Sequence, residues 1–61
     1  MYLPAIHLRA DDTILFRKDG RKRQGVVTGV TPVDDRHRAI VLASGDTWTV
    51  TNYTLVAVLA R

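Results

Sequence analysis

Five basic residues crowd into the run Arg-Lys-Asp-Gly-Arg-Lys-Arg at positions 17–23. The run carries a net charge of +4, whereas the rest of the chain carries −1, which gives the total of +3. Charge concentrated in one place attracts polyanions more strongly than the same charge spread evenly. Seven of the nine basic residues are arginine, whose planar fork of donors suits phosphate. The run therefore predicts a phosphate-binding surface. The alternative is a solvated turn whose charges protect a sheet edge from aggregation.

A second basic cluster, Arg36-His37-Arg38, follows Asp34-Asp35. If the strands on either side are neighbours, Arg36 and Arg38 extend the basic surface. The cluster can equally pair with the two aspartates beside it, and surface ion pairs of that kind contribute only about 0–1 kcal/mol. Local pairing is the favoured interpretation.

Two aromatic residues have different predicted places. Trp48 alternates with threonines in Thr-Trp-Thr-Val-Thr, which favours a buried ring, because a domain this small needs the apolar area. Tyr53 falls in a predicted turn. It is a candidate contact residue, as a stacking platform or a protein contact, or else a lid over one end of the fold.

The chain lacks the patterns of catalytic and metal sites. It has no cysteine, which excludes disulfides and cysteine-based zinc sites. It has neither a phosphate-cradling glycine loop nor a nucleophile elbow. No metal-ligand spacing relates the aspartates at 11, 12, 34 and 35 to the histidine at 37. Paired aspartates are common in turns, where they hydrogen-bond the backbone. We expect no enzymatic activity, no cofactor, no metal ion and no small-molecule substrate.

Composition predicts one globular domain over residues 1–61. The hydrophobic fraction of 46% argues against disorder, and the absence of glutamate removes a strong helix former. The first residues lack the layout of a signal peptide, and the apolar runs are too short to span a membrane. We expect a cytoplasmic protein with no membrane partner.

Period-2 alternation recurs along the chain and favours strands over helices. Ile14 and Phe16, and later Ile40 and Leu42, are the predicted inward pairs, and Val50 is expected to face inward beside the tryptophan. Residues 55–59 are apolar throughout, which is typical of a strand covered on both faces. The predicted strands span residues 6–8, 13–16, 24–31, 38–43, 47–51 and 55–59. Turns are predicted at Asp-Gly 19–20 and Ser-Gly-Asp 44–46, with glycines 25 and 29 as bulges or bends.

Five or six short antiparallel strands of this kind predict an all-β fold, a small and partly open barrel. The order of the predicted strands and turns resembles that of a known group of folds. The segments that carry the resemblance are Asp-Thr-Ile-Leu-Phe at 12–16, Gly-Val-Val-Thr-Gly-Val at 25–30, Ile-Val-Leu at 40–42, Ser-Gly-Asp at 44–46, Trp-Thr-Val at 48–50 and Leu-Val-Ala-Val at 55–58. In this order they resemble small SH3-like barrels, the group that includes KOW and Tudor-type modules. The chain is also similar to short uncharacterised barrel proteins of bacteria and their viruses (phages). The resemblance covers residues 12–59 and implies a non-catalytic binding module.

Two functions follow from these patterns. The leading hypothesis is a nucleic-acid-binding module that contacts DNA or RNA phosphates without reading bases. The alternative is a protein-interaction adaptor that uses a sheet edge or the last strand, for a partner or for self-association, with Leu55, Leu59 or Tyr2 exposed. The predicted nucleic-acid contacts are Arg17, Lys18, Arg21, Lys22 and Arg23, with Arg36 and Arg38 adding to them.

Overall fold

Six antiparallel strands and one 3₁₀ turn make up the fold in the computed structural model, which describes residues 1–61. The all-β class and the number of antiparallel strands are confirmed. No helix has the length and apolarity needed to cross a membrane. In chain order the elements are β1 (Tyr2–Pro4), the 3₁₀ turn (Ala5–His7), β2 (Thr13–Lys18), β3 (Arg21–Pro32), β4 (His37–Leu42), β5 (Thr47–Thr51) and β6 (Leu55–Ala60).

The strands form one sheet in the order β1-β6-β2-β3-β4-β5. Strands β2 to β5 follow one another as a meander, and β6 returns to lie between β1 and β2. The two edge strands, β1 and β5, do not pair with each other. The sheet is therefore open and does not close into a barrel.

The longest strand, β3, bends the sheet. Its first half pairs with β2 and its second half with β4, and the register slips between Val27 and Gly29. A slip of this kind is a β-bulge, which bends a strand and increases its twist. Gly25 permits a close approach, since a Cβ there would lie 2.9 Å from Phe16 Cε1. The glycines thus occupy the positions where the sheet has to bend.

One apolar cluster fills the concave side of the bent sheet, with side chains from β2 to β6 and from the segment before β2. Burying a side chain of this size stabilises the fold by about 1.5–3 kcal/mol. The inward pairs predicted on β2 and β4 are confirmed, as is Val50. The cluster consists of Ala5, Leu8, Ile14, Phe16, Val27, Ile40, Leu42, Val50, Val56 and Val58.

The predicted first strand is wrong, since residues 5–7 form a 3₁₀ turn and the strand lies earlier, at Tyr2–Pro4. The N–H groups of Ala5 and Ile6 donate to the carbonyls of Thr54 and Asn52, both at 2.9 Å. These bonds tie the turn to the β5–β6 connection. Local alternation cannot reveal them, because their partners lie far along the chain.

The expectation that β6 is covered on both faces is also wrong. Val56 and Val58 are buried, whereas Leu55 and Leu59 on the other face are 64% and 51% exposed. The strand is interior in its pairing, between β1 and β2. Its outer face is therefore exposed at both ends and half-buried at Ala57.

Candidate functional site

The basic run forms the end of the β2–β3 hairpin, with most of its residues on the two strands. Lys18 pairs with Arg21 as the last pair of the ladder, so that Asp19 and Gly20 alone make the turn. Their φ angles are 53° and 76°. A two-residue turn with both φ angles positive has the twist that suits a hairpin, and Asp-Gly is a favoured sequence for it. The predicted turn is confirmed, but the third strand begins at Arg21, earlier than predicted.

Strand pairing divides the five cations between the two faces of the hairpin. Lys18 and Arg21 form the pair next to the turn, and Arg17 and Lys22 form the next pair. Arg23 then lies opposite the buried Phe16. Successive side chains of a strand point to opposite faces. Arg17 and Lys22 therefore share the outer face, and the other three cations share the face that continues the core.

Lys18 on the inner face is held by an acid from another hairpin. Its Nζ lies 2.5 Å from Asp46 Oδ1 in the β4–β5 turn, and Ser44 Oγ donates to Asp46 Oδ2 at 2.9 Å. The pKa of Asp46 lies below its usual 3.8, chiefly because of the hydrogen bond from Lys18 and secondly because of the one from Ser44. The charge of Lys18 is therefore largely satisfied within the fold.

The other four cations of the hairpin are exposed and make no salt bridge. They also donate no side-chain hydrogen bond inside the protein; the hairpin thus presents four cations to solvent with their donors free. These residues are Arg17, Arg21, Lys22 and Arg23.

An apolar groove of ≈ 280 Å³ opens beside the outer pair, Arg17 and Lys22. Its other walls come from distant parts of the chain. Leu15 stands on the outer face of β2, and Tyr2 lies opposite Ala57 in the β1–β6 ladder. The lining residues are Tyr2, Leu15, Phe16, Arg17, Lys22, Trp48, Thr54, Leu55, Val56 and Ala57.

Trp48 contributes to this groove and is less buried than predicted. It packs against the core but is only half-buried, with its ring centroid 6.2 Å from that of Phe16. The inward direction was predicted correctly. Because β5 is an edge strand, no further strand covers the remaining side of the ring.

Arg36 and Arg38 lie away from the hairpin along β3. Arg38 pairs with Pro32, at the opposite end of the strand from the basic run. It shares the inward face of Ile40 and Leu42, and its Nε is buried without a hydrogen-bond partner. The ladder thus gives Arg38 no place on the hairpin surface.

The local pairing expected around Asp34 is present, but neither arginine side chain takes part. The N–H groups of Arg36 and His37 donate to Asp34 Oδ1 at 2.7 and 2.8 Å, and the ring Nδ1 of His37 lies 3.0 Å from the same atom. The Arg36 backbone bond and the His37 side-chain bond lower the pKa of Asp34. The guanidinium of Arg36 forms no ion pair with the aspartates.

Tyr53 is 76% exposed in the β5–β6 turn and is not a lid. With Arg36 and Asn52 it lines a second hollow, where the Asn52 N–H donates to the Arg36 carbonyl at 2.7 Å. The next residue, Thr54, lines the apolar groove. Tyr53 is therefore the neighbour in the chain of a groove residue, and the Asn52–Arg36 bond ties Arg36 to the same turn.

Sequence reasoning missed the groove. Tyr2, Trp48 and Leu55 are far apart in the chain. The β1–β6 pairing brings Tyr2 and Leu55 together, and the packing of Trp48 against Phe16 brings β5 to the same groove. The sole sequence signal was that apolar side chains were more numerous than one small core needs, in β6 above all.

No three side chains of histidine or aspartate are grouped so as to hold a metal ion. The resemblance to SH3-like barrels stays a prediction. Comparisons of the chain with protein-family models, with curated proteins and with solved structures give no match.

Proposed function

We propose that this protein is a non-catalytic module that binds nucleic acid through the β2–β3 hairpin, in the cytoplasm and without a cofactor. The observation that carries the proposal is the set of four exposed cations whose donors have no partner in the fold. A two-residue turn fixes the hairpin that presents them. Preformed donors need less ordering on binding than a flexible tail would.

The charge distribution supports a polyanion as the partner. The acids that do form ion pairs lie on the inner face or elsewhere, at Asp46, Asp34 and Asp12. The outer face of the hairpin therefore keeps its full positive charge. Cations that contact phosphates release counterions, so the affinity falls steeply as salt is added.

Sequence specificity is not part of the proposal. Phosphate contacts orient a protein on a nucleic acid but do not read bases. Two of the four free cations lie on each face of the hairpin, so a strand must pass around its tip to contact all of them. Arg36 is a further proposed contact. Binding to DNA and RNA of varied sequence is therefore expected.

The test is fluorescence anisotropy with labelled oligonucleotides at several salt concentrations. If all four free cations contact phosphates, log affinity against log salt slopes at about −3.6 for a duplex and about −2.8 for a single strand. The variant Arg17→Ser/Lys22→Ser should bind much more weakly, and its slope should be shallower by about 1.4 for a single strand.

A charge-matched control separates the hairpin from net charge alone. Arg9→Glu also lowers the net charge by two, at an exposed side chain before β2. It should weaken binding far less than the double variant. Equal losses in the two proteins, or no binding by the wild type at low salt, would refute the hairpin interface.

A second candidate, a protein-interaction adaptor, is favoured by the outer face of β6. Leu55 and Leu59 both lie exposed there, and apolar side chains of this kind suit a protein partner. Such an interface is nearly insensitive to salt. Salt-resistant binding to a partner protein that is lost in Leu59→Ser would support the adaptor over the hairpin.

A further inference from the structure

We propose that the apolar groove beside Arg17 and Lys22 holds a base of a single-stranded nucleic acid. The inference rests on the proposed function and adds to it the class of ligand. A base would stack on the aromatic rings of the groove, while the two cations hold a neighbouring phosphate. The protein would accordingly prefer single strands to duplexes.

The groove walls have the chemistry of a stacking site. Trp48 exposes part of its ring there, and Tyr2 stands at the same groove with 70% of its surface exposed. Aromatic side chains bind bases of any sequence, because every base has a π face. Leu55 adds an apolar surface beside them.

Charge complementarity selects the occupant. Arg17 and Lys22 both line the groove, and none of its residues is acidic. They lie directly opposite each other on the two arms, and neither is engaged by another side chain. A ligand that combines flat apolar rings with negative charge complements both kinds of wall, as a single-stranded nucleic acid does at every nucleotide.

The size of the groove points the same way. Its ≈ 280 Å³ lies just below the usual range for small-molecule sites, about 300–1,000 Å³. It suits one part of a longer ligand better than a whole cofactor. A duplex keeps its bases stacked inside the helix and can offer this groove only its backbone.

Trp48 is the sole tryptophan of the chain, so its fluorescence reports directly on the groove. The probes are an oligothymidylate, an abasic oligodeoxynucleotide with the same number of phosphates, and a duplex. We expect the oligothymidylate to quench Trp48 emission and to bind about tenfold more tightly than the abasic strand. The abasic strand and the duplex should leave the emission nearly unchanged.

Variants on the exposed walls locate the contact. Tyr2→Ser and Leu55→Ser remove side chains that bury little, so both proteins should fold. Each should weaken oligothymidylate binding severalfold and leave abasic binding unchanged. Leu59→Ser is the matched control, since it makes the same change on the same face of β6, outside the groove, and it should alter neither affinity.

The outcomes separate the two proposals. Equal affinity for oligothymidylate and the abasic strand, with unchanged Trp48 emission, would overturn the stacking site and leave phosphate binding intact. Absence of binding to every nucleic acid would overturn both. Quenching by polyglutamate as strong as that by oligothymidylate would assign the groove to an acidic peptide and overturn the base-binding site.

Discussion

Asp46 sets how much positive charge the hairpin presents. It is the only acid that forms an ion pair with a cation of the basic run, and that cation is Lys18. Arg23 also interacts with it electrostatically. An aspartate at this position strengthens the link between two hairpins, at the expense of one cation that could have contacted a phosphate.

Asp46→Asn should therefore increase nucleic-acid affinity. Asparagine can keep the turn bonds with Ser44 while it releases Lys18, which becomes a fifth free cation on the hairpin. The slope of log affinity against log salt should steepen by about 0.7 for a single strand. Anisotropy titrations over a range of salt concentrations measure both effects.

Asp11→Asn is the control for this gain. It removes the same charge from an exposed aspartate outside the ion pairs, and asparagine tolerates the positive φ of 76° found there. Its effect should be small. An equal gain in both variants would show that net charge, not the release of Lys18, governs binding.

At the scale of single strands, β3 depends on two glycines for different reasons. Gly25 faces Phe16 so closely that an added Cβ would lie 2.9 Å from the ring, whereas nothing lies within 4 Å of the corresponding position at Gly29. The first glycine is required by packing against the core. The second lies at the bulge and has open space around it.

Gly25→Ala should destabilise the fold by about 1–3 kcal/mol, because the buried Phe16 ring must shift to make room. Gly29→Ala, the same substitution on the same strand, should change stability by no more than about 0.5 kcal/mol. Urea unfolding followed by Trp48 fluorescence compares the two proteins. A similar loss in both would mean that strand propensity, not the contact with Phe16, decides the cost.

Local features of the strands were predictable from sequence, and long-range ones were not. Alternation identified Ile14, Phe16, Ile40 and Leu42 as inward residues, and Asp19-Gly20 identified the turn, because both signals arise from near neighbours. The half-exposure of Trp48 depends on β5 being an edge strand. That position is decided by pairings between segments far apart in the chain, which no local pattern records.

The same limit applies to the candidate site. The basic residues were predicted, but their division between two faces required the register of the hairpin. One consequence is that Lys18, predicted as a phosphate contact, is engaged by Asp46. Another is that Arg17 and Lys22 stand together beside a groove built by β1, β5 and β6.

At the scale of the whole molecule, Asp12 joins the start of β2 to the end of β6. It is the only buried charged residue, and its carboxylate accepts hydrogen bonds from the Arg9 N–H at 2.9 Å and from Arg61 Nε at 3.1 Å. Burial opposes its ionisation, but these bonds outweigh burial and lower the pKa of Asp12 below 3.8. The ionised form is therefore the one that stabilises the fold.

Asp12→Ala should cost about 1–3 kcal/mol at neutral pH, since it removes the hydrogen bonds that a buried carboxylate accepts from the part-buried donors of Arg9 and Arg61. A folded-state pKa below the unfolded value contributes stability above pH 3.8 that is lost as the pH falls through the folded-state pKa. The difference in the free energy of unfolding between wild type and variant should therefore become smaller as the pH falls. Urea unfolding at neutral pH and at successively lower pH measures it.

Asp35→Ala serves as the comparison, because this aspartate is exposed and its carboxylate makes no hydrogen bond in the fold. Its cost should be small at every pH. A difference for Asp12→Ala that stays constant through the acid range would show that lost packing, not the ionised carboxylate, accounts for the effect.

The place of β6 between β1 and β2 gives the folding reaction an order. Strands β2 to β5 join their sequential neighbours through short connections, so each loop closes at a small entropic cost and the meander can assemble early. β1 has no neighbour other than β6, and their contact at Tyr2 and Ala57 closes almost the whole length of the chain. We therefore expect β6 to pair late, because its arrival covers the core, brings β1 into the sheet and completes the groove.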